Sequence, residues 1–323
     1  MRRSLLRVPV LLALVVGLIA PSASPAGASG TFTFFGSGYG HGIGMSQWGA
    51  YGLARMGWDH SRIVQHFYRG TKVVTSSSLP DRIRVGLTSG RTVVHLRAQA
   101  GPVRLWINDA GGRLIGRLPA GDTWRVIARD HDWAVRRPNG SLVGGHGWGS
   151  PSADLIVTYQ DVGSRVFIPE ADAIWSRGFS YVRGSIEMNL TSCRDANGCA
   201  ERVIARLDFE DYLLGLGEVP ASWPMEAMRA QAVAARTYAA YAVTHYKLRA
   251  DCNCDLTDGA SDQTYIGYNR EAGTDGDRWV QAARSTARQV VTYNGALIQA
   301  FYAASDGGHS DSVEDVWHGG DPA

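Results

Sequence analysis

Glu218 lies in the turn Leu214-Gly-Leu-Gly-Glu-Val-Pro220, between two stretches of helical pattern and among apolar neighbours. Burial disfavours the charged form of a carboxyl group, which is how an acid is kept protonated for donation near neutral pH. A helix start shortly after the turn pulls the other way, because the positive end of a helix favours the carboxylate. Taken alone, a loop Glu reads equally well as a solvated or capping side chain. Two further polar residues, Gln231 and Arg236, share the helix downstream. They lie about 140° apart around it, so they do not face one site together, and Arg236 reads better as an ion-pair partner.

The four cysteines form the second group with chemistry of its own. In an exported chain they read first as disulfides. Cys193 and Cys199 flank the turn-like Arg-Asp-Ala-Asn-Gly and make the favoured pair. Cys252 and Cys254 are separated by one residue, where a bond is expected to be strained, so pairing between the two sets stays open. A structural zinc on His245, Cys252 and Cys254 is the alternative, with no fourth ligand to name. Otherwise no cofactor is expected.

Export is read from the start of the chain. Arg2, Arg3 and Arg7 precede an almost uncharged run from Val8 to Pro21, and Ala26-Gly-Ala28 offers a cleavage site. Residues 1–28 are therefore expected to be a signal peptide. An uncleaved anchor is the alternative, although the run is short for a spanning helix. No later stretch suits a membrane span. The formal charge of +2 includes those three arginines, so loss of the leader leaves −1, which excludes the basic footprint of a nucleic-acid binder.

The positioning elements follow from pattern. A Gly-rich segment, Gly36-Ser-Gly-Tyr-Gly-His-Gly-Ile-Gly44, leads into helical spacing from Ser46, and a second short helix follows from Ser61. Residues 29–75 form that unit. From 76 to 165 short alternating strands separated by Gly, Asn-Gly and Asp-Gly predict a small all-β insert, a scaffold or wall-binding module. Residues 166–323 return to mixed structure. Val203–Leu207 is a strand, and Asp208 caps a helix. Ser222 to about Lys247 is one long Ala-rich helix with Pro224 at its first position. Val290–Tyr293 and Leu297–Tyr302 form a hairpin around Asn294-Gly295. The fold class is α+β, a long Ala-rich helix on mixed strands with the β module inserted. The ending at Trp317-His-Gly-Gly-Asp-Pro-Ala323 reads as a cut within the domain.

Four runs carry a resemblance to a known family. They are Phe209-Glu-Asp-Tyr-Leu-Leu-Gly-Leu-Gly-Glu-Val-Pro-Ala-Ser-Trp-Pro-Met-Glu-Ala-Met-Arg-Ala-Gln-Ala-Val-Ala-Ala-Arg-Thr-Tyr-Ala239, Asp262-Gln-Thr-Tyr-Ile-Gly267, Ala303-Ala-Ser-Asp-Gly-Gly-His309, and Gly38-Tyr-Gly-His-Gly-Ile-Gly-Met-Ser-Gln-Trp-Gly-Ala50. Together they resemble the stage II sporulation protein D (SpoIID/LytB) family, in the form of a secreted actinobacterial-type member. The resemblance implies a lytic transglycosylase that cleaves the MurNAc-GlcNAc bond of peptidoglycan strands to 1,6-anhydro ends, outside the cytoplasmic membrane or in the wall. A single carboxylate serves as acid and then base, unlike the carboxylate pair of glycoside hydrolases. That role falls on Glu218, by its place before Val219-Pro-Ala-Ser-Trp-Pro224. Gln231, Arg236, Gln263, Tyr265, Ser305 and His309 match motif positions expected to contact substrate. The same family name covers enhancers of cell-wall amidases, so an amidase partner without catalysis, or a plain peptidoglycan-binding module, are the other readings. In many members the Gly-His-Gly-x-Gly-Met-Ser-Gln run follows the Ser-x-Gly-Gly-His strand, whereas here it comes first. Its His41, Ser46 and Gln47 are accordingly expected to fold back and line the cleft of Glu218.

Overall fold

The computed structural model describes residues 38–129, 132–143, 153–171, 177–190 and 200–317. The expected leader at 1–28 and the expected Cys193–Cys199 pair lie outside these residues. The first elements are β1 (Met45–Ser46), α1 (Gln47–Arg55), α2 (His60–Phe67) and β2 (Lys72–Thr75). Then come β3 (Arg82–Arg91), β4 (Val93–Ala100), β5 (Val103–Ile107), β6 (Arg113–Leu118), β7 (Thr123–Arg129), β8 (Asp132–Arg136), β9 (Leu155–Tyr159), β10 (Arg165–Ile168), β11 (Phe179–Tyr181), β12 (Ser185–Leu190) and β13 (Glu201–Asp208). The remainder is α3 (Phe209–Leu214), α4 (Met225–His245), β14 (Leu256–Thr257), α5 (Tyr268–Ala272), α6 (Gly276–Ser285), β15 (Gln289–Tyr293), β16 (Ala296–Leu297), β17 (Tyr302–Ala303) and α7 (Val313–Trp317). The fold is α+β, with helices and mixed strands in several sheets.

The strands expected to close into a separate β module do not do so. A seven-stranded sheet runs β14-β3-β13-β12-β9-β5-β6, so β3, β5, β6 and β9 pair in one sheet with β12, β13 and β14 from beyond residue 165. A five-stranded sheet, β11-β10-β4-β7-β8, packs its apolar side onto the first. The reason is period-two patterning. Val203, Ala205 and Leu207 of β13 alternate inward, as do Ile83, Val85 and Leu87 of β3, and the antiparallel register Leu207↔Ile83 and Ala205↔Val85 joins them on one face. Burial of that face continues without a break into Phe209, Tyr212 and Leu213 of α3 and Ala232, Ala235 and Ala239 of α4.

Helix α4 begins one residue after Pro224, which serves as its N-cap and not as its first helical residue, and it ends at His245. Its alanines on the other side accept the N-terminal unit. Ala230, Val233 and Ala234 form a second core with Met45, Ile63, Val64 and Tyr68. The expected hairpin strand Leu297–Tyr302 is shorter than its pattern suggested. Only Ala296 and Leu297 pair with β15 around Asn294 and Gly295, both at positive φ, and the chain then departs to form β17. There Tyr302 and Ala303 pair in parallel with Met45 and Ser46 of β1, flanked by bridges from Tyr39 to Ser305 and Ile43 to Asp311. Gly44 permits this approach. It sits at φ +75°, and a Cβ there would lie 2.0 Å from the Phe301 carbonyl oxygen.

Cys252 and Cys254 are bonded to each other, against the expectation that so short a loop disfavours it. Asn253 between them takes φ +53°, which brings the two Cα atoms to 5.2 Å, within the ordinary span of a disulfide. Their sulfurs are therefore not arranged as metal ligands with His245, whose ring stacks on Tyr241. No helix of the described residues is long and apolar enough to cross a membrane.

Candidate active site

Helix α3 ends at Gly215, and the turn that follows carries Glu218 toward the loop 262–267 and toward β17. Leu216 and Tyr265 bridge the two segments, and Gly217 N–H donates to the Thr264 carbonyl at 2.8 Å. Glycine at 217 lets Ile266 pack within 2.9 Å of where a Cβ would stand. The Glu218 carboxyl is thereby fixed from two sides. Its Oε1 accepts from the Thr264 N–H at 2.6 Å and from the Tyr302 hydroxyl at 3.0 Å.

The protonation pattern follows from that geometry. Gln263 donates its side-chain N–H to the Ala235 carbonyl at 3.2 Å, an acceptor only, so its amide orientation is settled. The same nitrogen donates to the Tyr302 hydroxyl at 2.8 Å, and Gln263 Oε1 accepts from the Tyr212 hydroxyl at 2.8 Å. Tyr302 must then give its own hydrogen to Glu218. With two donors aimed at Oε1, the acid's proton resides on Oε2, which has no partner among the described residues and is not sealed from solvent. Glu218 as a residue is half-buried, but its carboxyl is closely surrounded by protein. Desolvation raises its pKa to about 7, against the lowering effects of the Thr264 and Tyr302 bonds and of the Arg270 charge. Arg270 is itself buried, its guanidinium 4.7 Å over the Trp279 ring, and desolvation holds it down to about 10.

Tyr302 also forms part of a cavity of about 430 Å³ lined by His41, Tyr238, Phe301, Trp317, Lys247 and Gln299 among others. The ring of His41 lies 6.0 Å from Phe301 and 5.4 Å from Trp317. Its Nδ1 accepts from the Ile43 N–H at 3.0 Å, so Nε2 carries the hydrogen in the neutral ring, and burial lowers its pKa. Asp262, a carboxylate on this wall, is engaged by Arg249, Thr257 and Tyr238.

The residues singled out from sequence divide accordingly. Gln263 touches the Glu218 network directly, and His41 lines the adjoining cavity. Gln47 and Gln231 bond each other at 3.3 Å, side chain to side chain, fastening α1 to α4. Ser46 caps α1 by accepting from the Gly49 N–H, and Tyr265 packs on Tyr212 in the core. Ser305 pairs its backbone with Tyr39. Arg236 and His309 are elsewhere. Arg236 is fully buried on Glu210 and the carbonyl of Ala283, and His309 is exposed beside a different cavity of about 460 Å³ with His66, Asp306 and Asp311. Tyr302, Tyr212 and Arg270 are the site residues that sequence reasoning missed. Tyr302 alone had a signal, as the aromatic residue directly before the Ala303–His309 run.

Residues 198–293 match the family described as SpoIID, stage II sporulation protein. The chain is 37% identical over 119 residues to an uncharacterized protein of Brachyspira hyodysenteriae, covering 36% of this chain and 30% of that one. It is 37% identical over 100 residues to the amidase enhancer of Bacillus subtilis, covering 31% and 12%. It is 27% identical over 128 residues to stage II sporulation protein D of Bacillus subtilis, covering 36% and 37%. The matched stretch thus spans well under half the length of each of these relatives. It contains α3, Glu218, α4 and the loop whose backbone holds the Glu218 carboxyl, so it is the segment carrying the candidate site that is similar to the SpoIID family.

Proposed function

We propose that the chain is a peptidoglycan lytic transglycosylase acting outside the cytoplasmic membrane, with Glu218 as its single acid and base. The observation that carries this reading is the state of that carboxyl: Oε1 held by two donors, Oε2 left to bear the proton, and an affinity for the proton raised to about 7. In the proposed reaction the Oε2 proton passes to the glycosidic oxygen between MurNAc and GlcNAc as the bond from C1 to that oxygen breaks. The C6 hydroxyl of the muramyl unit then attacks C1 to close the 1,6-anhydro ring, and its proton returns to Glu218. An acid whose pKa lies near the working pH serves both steps. A hydrolase would need a second carboxyl group to activate water or form the covalent intermediate. Asp262, the carboxylate that lines the cavity beside Tyr302, is already held by an arginine and three hydrogen-bond donors of its own surroundings.

Mass spectrometry of products from purified glycan strands, with and without stem peptides, tests the proposal. Wild type should release anhydro-ended fragments and Glu218→Gln should release none; equal release by the two proteins sinks it. The 37% identity to an amidase enhancer supports a second reading, in which the domain stimulates a wall amidase without cutting glycan. Stimulation that survives Glu218→Gln, with no anhydro product from wild type, would establish that reading instead.

A further inference from the structure

Helix α1 is apolar on two faces. Ala50, Leu53 and Ala54 pack inward with the second core. A surface helix normally turns polar residues outward, yet Trp48, Tyr51 and Gly52 stand at i, i+3 and i+4 there, with the charged Arg55 following at i+7. Trp48 stays 55% exposed, and among the described residues nothing beyond the helix's own adjacent backbone lies within 4 Å of where a side chain at Gly52 would begin. A third ring, from the Glu218 loop, is buried in the main core and backs them. Trp223 lies 4.9 Å from Trp48 and 5.1 Å from Tyr51, and those two are 5.3 Å apart. The loop that presents Trp223 is tied down by Arg278, which donates to the carbonyls of Ala221 and Trp223.

Both sides of this cluster connect to the proton-transfer site. Trp223 follows Glu218 within one short turn, and the Trp48 N–H donates at 3.0 Å to the carbonyl of Ala304, two residues beyond Tyr302. We propose that Trp48 and Tyr51, backed by the buried ring of Trp223, form a stacking platform for a sugar ring of the glycan strand, extending the binding surface past Glu218. The inference rests on Glu218 acting on glycan. A pyranose has apolar C–H faces and a polar rim. The exposed indole suits the faces, and the guanidinium of Arg55, 6.0 Å over the Tyr51 ring, offers donors to the rim. A polymer cut internally needs contact on both sides of the broken bond; the cavity at Tyr302 provides one surface and the platform a second. Trp, Tyr and Arg also favour protein interfaces. The direct continuity with the Glu218 loop decides for sugar.

The test uses Glu218→Gln protein, so that binding is read without turnover, and chitotetraose as probe, followed by tryptophan fluorescence and calorimetry. Binding is expected, with Trp48→Ala and Tyr51→Ala each about tenfold weaker, and Trp48→Phe within about threefold of the parent. Equal affinity in Trp48→Ala, or no binding by the parent, overturns the platform. So does a Trp48→Ala protein that keeps its sugar affinity but no longer stimulates a wall amidase, which would give the surface to a protein partner. Product analysis remains a separate readout: sugar binding lost with Trp48 but no anhydro product from wild type would leave the platform standing and remove the catalytic assignment.

Discussion

Tyr302 and Glu218 are joined by a 3.0 Å hydrogen bond in which the phenol is the donor, because its oxygen already accepts from Gln263. The bond links the β17 strand, built against the Gly-rich N-terminal segment, to the turn after α3. It also decides which carboxyl oxygen carries the proton.

Replacing Tyr302 by Phe removes one of the two donors that favour the charged form of Glu218, so the pKa of that carboxyl rises further. The alkaline limb of the pH–rate profile should move upward, and the maximal rate should fall about tenfold, the scale of a lost hydrogen bond to a charged group of about 1.5 kcal/mol. An unchanged profile would mean that the bond does not govern the acid.

Stability should decline as pH rises from about 4.5 to about 7, because Glu218 holds its proton more tightly folded than unfolded over that window. Glu218→Gln lacks this penalty. Thermal unfolding should find it on the order of 2 kcal/mol more stable than wild type at pH 8 and nearly equal at pH 4. A variant less stable at pH 8 would contradict the raised affinity.

Glu201 is a second buried acid of the same sign and no evident chemistry. It is fully buried at the start of β13, with neither carboxyl oxygen partnered among the described residues, and desolvation raises its pKa to about 8. Its burden grows as pH rises from about 4.5 to about 8. Glu201→Met should therefore raise the unfolding midpoint at pH 9 distinctly more than at pH 5. A shift of equal size at both pH values would count against it.

Gly44→Ala should strike the site from a distance. The Cβ would collide with the Phe301 carbonyl, which also accepts from Met45 N–H and the Tyr68 hydroxyl. A loss of about 3 kcal/mol is expected, together with reduced turnover as β17 and Tyr302 shift. Denaturant unfolding and activity at a temperature where the variant stays folded read the two effects separately.

Strands β3, β4, β5, β7 and β9, the helix after Asp208 and the Ala-rich helix were legible in the sequence, because period two and helix propensity are local properties. Strands β6 and β8 were not, and the Asp208 side chain makes no capping hydrogen bond. Glu218 and Gln263 were legible through motif order, not through any physical signal in their neighbourhoods. Sheet membership was not. Residues 76–165 looked like a module apart because turns divide them, but strand pairing is non-local, and β13 offered β3 an apolar face in register. The same limit hid Tyr302, whose pattern assigned it to a hairpin.

What the sequence alone determined is therefore the repertoire: which segments can be helix or strand, where an acid stands among apolar residues, and which glycines allow close approach. Tertiary structure decided which of those pieces meet. It set β17 beside β1 and away from β15, put Arg236 on Glu210, and closed Cys252 onto Cys254. The proton affinity of Glu218 belongs to the second category, since it arises from desolvation and from donors contributed by residues 264, 270 and 302, brought together only when the chain is folded.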